Sequence, residues 1–318
     1  MGSRPRSIAK LATVLALCAA LIAAWAVVEH RRAEAAQQPG AAQRPGAAGR
    51  ATQSVAPAAP PSPSIVDVLP AGESPPSPDP VGIVRDALAS SLSGEGHNVG
   101  VEVLDRVTGR TVGYQETLGF ETASIVKVDI LATLLLQDQK AGRQLTANHR
   151  DLAEDMITES DNDAASALWN TIGGASGLAA ANRTFALTGT TPGPDGSWGA
   201  TRTTAADQIK LLAMLSDDSS PLSAANRAYE LNLMANVESD QRWGVPVAAD
   251  TAATAVYVKN GWLSSPSDNG LWVVNSIGRI VEPGHDWLVA VLTNHESDED
   301  PAITLIQNTA ADALSGLR

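Results

Sequence analysis

The chain predicts an α+β fold, and three observations predict it. Alternating apolar residues mark two short strands near residue 100, a block from 125 to 215 carries helical spacing, and three more alternating runs precede a final helix. In order, residues 81–92 return apolar side chains at helical spacing. Val99-Gly-Val-Glu-Val-Leu alternates as a strand does, and Thr108-Gly109 turns the chain into a second strand through Val112 and Tyr114. Helices are predicted over 125–139, 150–157, 163–169, 177–186 and 204–215. Strands are predicted over 253–259, 271–280 and 287–293, and a helix over 301–314. No internal repeat interrupts this order.

With 318 residues the chain has room for one large domain of about 230 residues plus accessory segments. A net charge of −13 excludes a nucleic-acid partner, because phosphates demand a basic face. The single cysteine, Cys18, lies in an apolar run, so neither a disulfide framework nor a thiolate metal site is expected. The five histidines are not clustered with acids at ligand spacing. We expect no metal and no cofactor.

Residues 1–28 read as a signal peptide or an N-terminal membrane anchor. Arg4, Arg6 and Lys10 lead into an apolar run from Leu11 to Val28, which as a helix would be roughly 27 Å long, close to a bilayer core. Ala33-Glu34-Ala35 suits cleavage, whereas the length of the run suits retention. Both readings direct the rest of the chain outward, either anchored to the membrane or secreted. Cys18 does not read as a lipidation site, since Leu17 stands where a small residue is wanted. Residues 29–80 are rich in Ala, Pro, Gln, Gly and Ser, and they predict a disordered linker with an end-to-end distance of roughly 40 Å. The folded domain is expected over 81–318.

Three short motifs carry chemistry. Ser124-Ile-Val-Lys127 opens an apolar helical run, which sets a serine near unpaired backbone N–H groups with a lysine three residues along the same face. Alone it reads first as an N-cap with a solvent lysine, and Ser7-Ile-Ala-Lys10 matches it in the membrane segment. Ser160-Asp161-Asn162 lies between two helices, where helix capping is the ordinary role for such residues. Lys259-Asn260-Gly261-Trp262 ends a predicted strand. Its glycine leaves room for a substrate beside the strand, and Lys259 supplies a positive charge for a substrate carboxylate or a neighbouring hydroxyl.

Taken together, the three motifs resemble those of the class A β-lactamase and penicillin-binding-protein family of serine acyl-enzymes. Met156-Ile-Thr-Glu-Ser-Asp-Asn-Asp-Ala-Ala, Gly173-Gly174, residues 201–206 and Gln241-Arg242-Trp243-Gly244 stand in the family's order. The resemblance implies an antiparallel sheet flanked by helices, with an adjoining helical subdomain and the site between them. It also implies roles. Lys127 would take the proton of Ser124, the backbone N–H groups of Ser124 and Trp262 would hold the oxyanion, and Ser160 would pass a proton to the leaving nitrogen. Asn162, Asn260, Gly261 and Trp262 would contact the substrate, a β-lactam or a peptidoglycan-type amide. The family also has D,D-peptidases and penicillin-binding sensors, and a monomer would suffice. One departure matters for turnover. Class A enzymes release the acyl group with a loop glutamate, and residues 189–204 contain none; Asp195 is the only carboxylate there that could replace it. Slow deacylation is therefore expected.

Overall fold

Period-two alternation in the late strands organises the domain. The structure, a computed structural model, describes residues 79–93, 98–265 and 268–318, with the backbone alone at Asp195. The expected membrane segment at 1–28 and all but the last two residues of the expected linker lie outside the described residues. The strands are β1 (Asn98–Asp105), β2 (Thr111–Tyr114), β3 (Phe120–Glu121), β4 (Arg202–Thr203), β5 (Ala255–Ser264), β6 (Trp272–Glu282) and β7 (His285–Glu296). The helices are α1 (Pro80–Leu92), α2 (Val126–Lys140), α3 (Ala147–Glu154), α4 (Asn162–Thr171), α5 (Gly174–Phe185), α6 (Ala205–Ser216), α7 (Ala224–Ala235) and α8 (Glu299–Leu317).

Five strands form one antiparallel sheet in the order β2-β1-β7-β6-β5, while β3 and β4 pair separately. Along β7, Trp287, Val289 and Val291 face one layer and Leu288, Ala290 and Leu292 face the other, as a pleated strand between two covered faces requires. The first face packs on α1 and α8 through Val84, Leu88, Ile306, Ala310 and Leu314. The second packs on the helical block. At the centre of that block, α2 buries twelve of its fifteen residues, among them the charged Lys127, Asp129 and Asp138. Truncating one of its fully buried leucines, such as Leu131→Ala, should cost roughly 2–5 kcal/mol.

Capping side chains start the helices where their spacing begins. Asp79 accepts from Val81 N, Thr146 from His149 N, Asp161 from Ala164 N, Thr204 from Asp207 N and Ser223 from Asn226 N. The fold is thus the α+β arrangement that the sequence predicts, and it departs from the expected elements at several points. The strand expected over 253–259 continues to Ser264, because pairing with β6 persists through Gly261↔Asn275 to Ser264↔Trp272; Lys259-Asn260-Gly261 therefore lies within a strand. The helix expected over 150–157 divides into α3 and a π-type turn, Asp155–Glu159. Helix α7 was not expected: its buried face includes Arg227 and Glu230, and these charges break the apolar periodicity.

Candidate active site

The turn that carries Ser124 is built against strong backbone preference and held from three sides. Ser124 is half-buried in a 3₁₀ turn, Ala123–Ile125, that feeds directly into α2. Ala123 has φ 46°, a left-handed conformation that costs a non-glycine residue on the order of 1 kcal/mol. Thr122 N donates to Thr201 O at 2.7 Å. From the sheet, Asn275 Nδ2 donates to Glu121 O at 2.9 Å and Thr122 O at 3.0 Å, while its Oδ1 accepts from Thr293 N at 3.2 Å. One buried amide thereby clamps the turn to the β6–β7 pair.

Strand β5 runs along the third side. A Cβ placed on Gly261 would lie 2.5 Å from Ser124 N and 2.7 Å from Ile125 N, so only glycine admits this approach. The strand is one of the two outer strands of the sheet, and among the described residues one of its edges has no strand partner.

Lys127, Ser160, Asn162 and Lys259 meet beside this turn. Lys127 Nζ donates to Ser160 O at 2.6 Å, Ser160 Oγ at 3.1 Å and Asn162 Oδ1 at 2.8 Å, which uses all three ammonium protons. Lys259 Nζ donates to the same Ser160 Oγ at 2.9 Å and to Asn260 O at 3.2 Å. Ser160 sits at φ 60°, where the π-type turn ends, and Asp161 begins α4 by accepting from Ala164 N at 2.6 Å. The left-handed residue and the cap together aim the Ser160 hydroxyl between the two lysines. Hydrogen bonds from Lys127 go to Ser160 and Asn162, whereas the sequence spacing pointed to Ser124.

Burial sets the electrostatics. Desolvation lowers the Lys127 amine to about 8, with the charge of Asp161 opposing it. Lys259 is pushed well below the ordinary lysine range, first by burial and then by the neighbouring Lys127 charge. Two ammonium groups on one hydroxyl repel each other, which favours loss of a proton from one of them. Lys259, read in the sequence as a positive charge, is accordingly biased toward its free base.

Asn260 differs from its expected part. Its Nδ2 donates to Gln241 O at 2.8 Å and Trp243 O at 3.0 Å, and the residue is buried. Both amide donors are committed to the 241–243 loop, so a hydrogen bond from this side chain to a substrate carboxylate is not available in this arrangement. Trp262 is half-buried and packs edge to face on Trp243 at 5.7 Å. The Asp195 backbone lies in the turn Pro194–Gly196, and its side chain lies outside the described residues.

Three residues that the motifs did not single out complete the site. Thr122 and Asn275 hold the Ser124 turn; the legible signal for Asn275 was a polar residue inside an apolar strand. The third is Trp198, whose ring lies 5.0 Å from Lys127 Nζ and whose Nε1 donates to Ser166 Oγ at 3.2 Å. A single loop tryptophan carries no periodic signal.

Comparison with known proteins bears on the family and the fold. A family model described as the β-lactamase enzyme family matches residues 135–317, a stretch that begins after Lys127 and contains the other two motifs. A protein of Mycobacterium tuberculosis whose name provisionally makes it a lipoprotein, LppW, is 29% identical over 213 residues. That match spans 65% of this chain and 66% of the relative, slightly under two thirds of its length. Among solved structures, a β-lactamase from Xanthomonas campestris has a TM-score of 0.64 at 22% identity, covering 76% of this chain and 99% of the other. PBP-A has a TM-score of 0.64 at 18% identity, covering 74% and 96%. At these identities the likeness of the structures is one of fold.

Proposed function

The chain belongs to the β-lactamase enzyme family, and from that premise we propose that it is an extracytoplasmic serine hydrolase that forms an acyl-enzyme on Ser124 with β-lactams or related amides. The observation that carries the proposal is the Ser160 hydroxyl, which receives hydrogen bonds from both Lys127 and Lys259 beside the turn of Ser124.

In the proposed reaction the free amine of Lys127 takes the proton of Ser124 as its Oγ bonds to the amide carbonyl carbon. The tetrahedral oxyanion lies between the backbone N–H groups of Ser124 and Trp262, a placement that the Gly261 approach supports. The C–N bond then breaks. The nitrogen takes the Ser160 hydroxyl proton, which Lys127 restores across the 3.1 Å contact. Asn162 holds Lys127 through Oδ1 and offers its amide nitrogen to the substrate. Lys259 keeps the Ser160 hydroxyl oriented.

Release is the weak half of the cycle. A positioned general base is worth about 10²–10⁴ in rate, and the 189–204 loop carries no glutamate, so turnover is slow. This loop also favours a second reading, a penicillin-binding protein of the D,D-peptidase or sensing kind that keeps its adduct. The basic and apolar N-terminus and the lipoprotein name of the relatives support a membrane-anchored or secreted location. The site is built within one chain, which is consistent with a monomer. Incubation with a fluorescent penicillin, followed by mass spectrometry over time, tests the proposal. A covalent adduct that disappears in Ser124→Ala supports acylation, rapid nitrocefin turnover supports efficient release, and neither adduct nor hydrolysis overturns the proposal.

A further inference from the structure

The 197–201 loop is fastened to both halves of the site. Thr122 N donates to Thr201 O at 2.7 Å and Thr122 Oγ1 to Gly199 O at 3.4 Å, which joins the loop to the turn of Ser124. Within the loop, Ala200 N donates to Ser197 O at 2.9 Å and Thr201 N to Trp198 O at 3.1 Å. On the other side, Trp198 Nε1 donates to Ser166 Oγ, and Ser166 Oγ donates to Asn162 O at 2.9 Å. The indole is thus held at both its backbone and its ring edge. Between these fastenings its ring covers Lys127, which is fully buried although its partners Ser160 and Asn162 are respectively half-buried and exposed.

We propose that Trp198 is a positioning residue that covers Lys127 and excludes water from the loop side of the site, and that it thereby prolongs the acyl-enzyme. The second half of this statement rests on the acylation reading above, while the first does not. An aromatic face attracts the lysine cation yet offers a water no strong hydrogen bond. Hydrolysis of a Ser124 ester requires a water to attack the carbonyl carbon, a base to take its proton, and Ser124 Oγ to regain one as the C–O bond breaks. With Trp198 in place, an approach from the loop toward Lys127 meets a ring held by hydrogen bonds.

Two readouts on the full chain separate the two halves. The sequence has only five lysines, so ¹⁵N-lysine labelling at pH 6 resolves Lys127, with assignment by Lys127→Arg. Trp198→Ala should raise exchange of the Lys127 ammonium protons with water at least tenfold, and Trp198→Phe should stay within about twofold. With a fluorescent penicillin, the adduct half-life should fall at least tenfold in Trp198→Ala and remain near the original in Trp198→Phe. Unchanged exchange in a Trp198→Ala protein that melts cooperatively overturns the covering role. Faster exchange with an unchanged half-life overturns the effect on lifetime. If the parent chain forms no adduct, the acylation reading and the lifetime effect fail together, and the exchange comparison still decides whether Trp198 covers Lys127.

Discussion

Gly261→Ala tests the close approach of β5 to the Ser124 turn. The added methyl would stand 2.5 Å from Ser124 N, 2.7 Å from Ile125 N and 3.0 Å from Thr122 O, all backbone atoms. Ordinary contact begins roughly 1 Å farther out, so the strand or the turn must retreat by about that distance. The turn resists, because Asn275 and Thr201 grip it and Ala123 already sits in a strained conformation. A displacement of about 1 Å at a reacting group can cost on the order of 100-fold in rate. We therefore expect the second-order rate of adduct formation on Ser124 to fall about 100-fold, with a stability loss of about 1–3 kcal/mol from overpacking. Stopped-flow acylation with a fluorescent penicillin gives the first quantity, and urea unfolding the second. An alanine variant that acylates at the parental rate would refute the inferred contact between strand and nucleophile.

Because burial lowers the Lys127 amine to about 8, acylation should climb about tenfold per pH unit below that value and level off above it. A profile flat from pH 6 to 9 would remove Lys127 from the role of base. Asp129 and Glu230 offer a separate pH test, in stability. Burial raises the Asp129 carboxyl to about 7, with Asn182 opposing and the Asp207 charge reinforcing the shift; burial and then the Asp129 charge raise Glu230 well above the carboxylate range. Folding therefore retains protons that the unfolded chain releases above about pH 4, so the contribution of this pair to stability declines as pH rises toward 7. Urea midpoints at pH 5 and 7 measure the decline, and Asp129→Asn should flatten its own share of it. Asn275→Leu removes two hydrogen bonds that the amide donates and one that it accepts, at a cost of roughly 3 kcal/mol, and should slow acylation as the turn loosens. A fully stable variant with parental acylation would show that the clamp is dispensable.

Much of the candidate site was legible because the residues it brings together lie in short segments with strong local signals. Ser124 and Lys127 open an apolar helix, Ser160 and Asp161 mark a helix junction, and Lys259 to Gly261 interrupt a β-branched run. What the sequence does not carry is the direction in which each group spends its hydrogen bonds. Lys127 turns to Ser160 and Asn162 only because a π-type turn ends in a left-handed serine, a conformation without a local sequence rule. Asn260 is consumed by the Gln241 and Trp243 carbonyls, which lie 17 to 19 residues away. Trp198 and Asn275 reach the site from elements whose positions depend on the whole sheet. Helix α7 escaped notice for the opposite reason, since tertiary burial of Arg227 and Glu230 overrides the pattern that would have revealed it.

The pairing of β1 with β7 has a kinetic consequence. Val101 lies opposite Val291, so the second strand from one edge of the sheet finds its inner neighbour some 190 residues later in the chain. Contacts so distant in sequence close slowly, because the loop entropy is lost before the pairing can offset it. Helices α2 to α7 can gather their own apolar cluster early, but the β1–β2 hairpin must wait for the last strand. The parts that hold the Ser124 turn, Gly261 on β5 and Asn275 on β6, belong to that late region. Ser124 should thus become reactive at the end of folding, and a refolding time course followed by penicillin capture would report completion of the sheet.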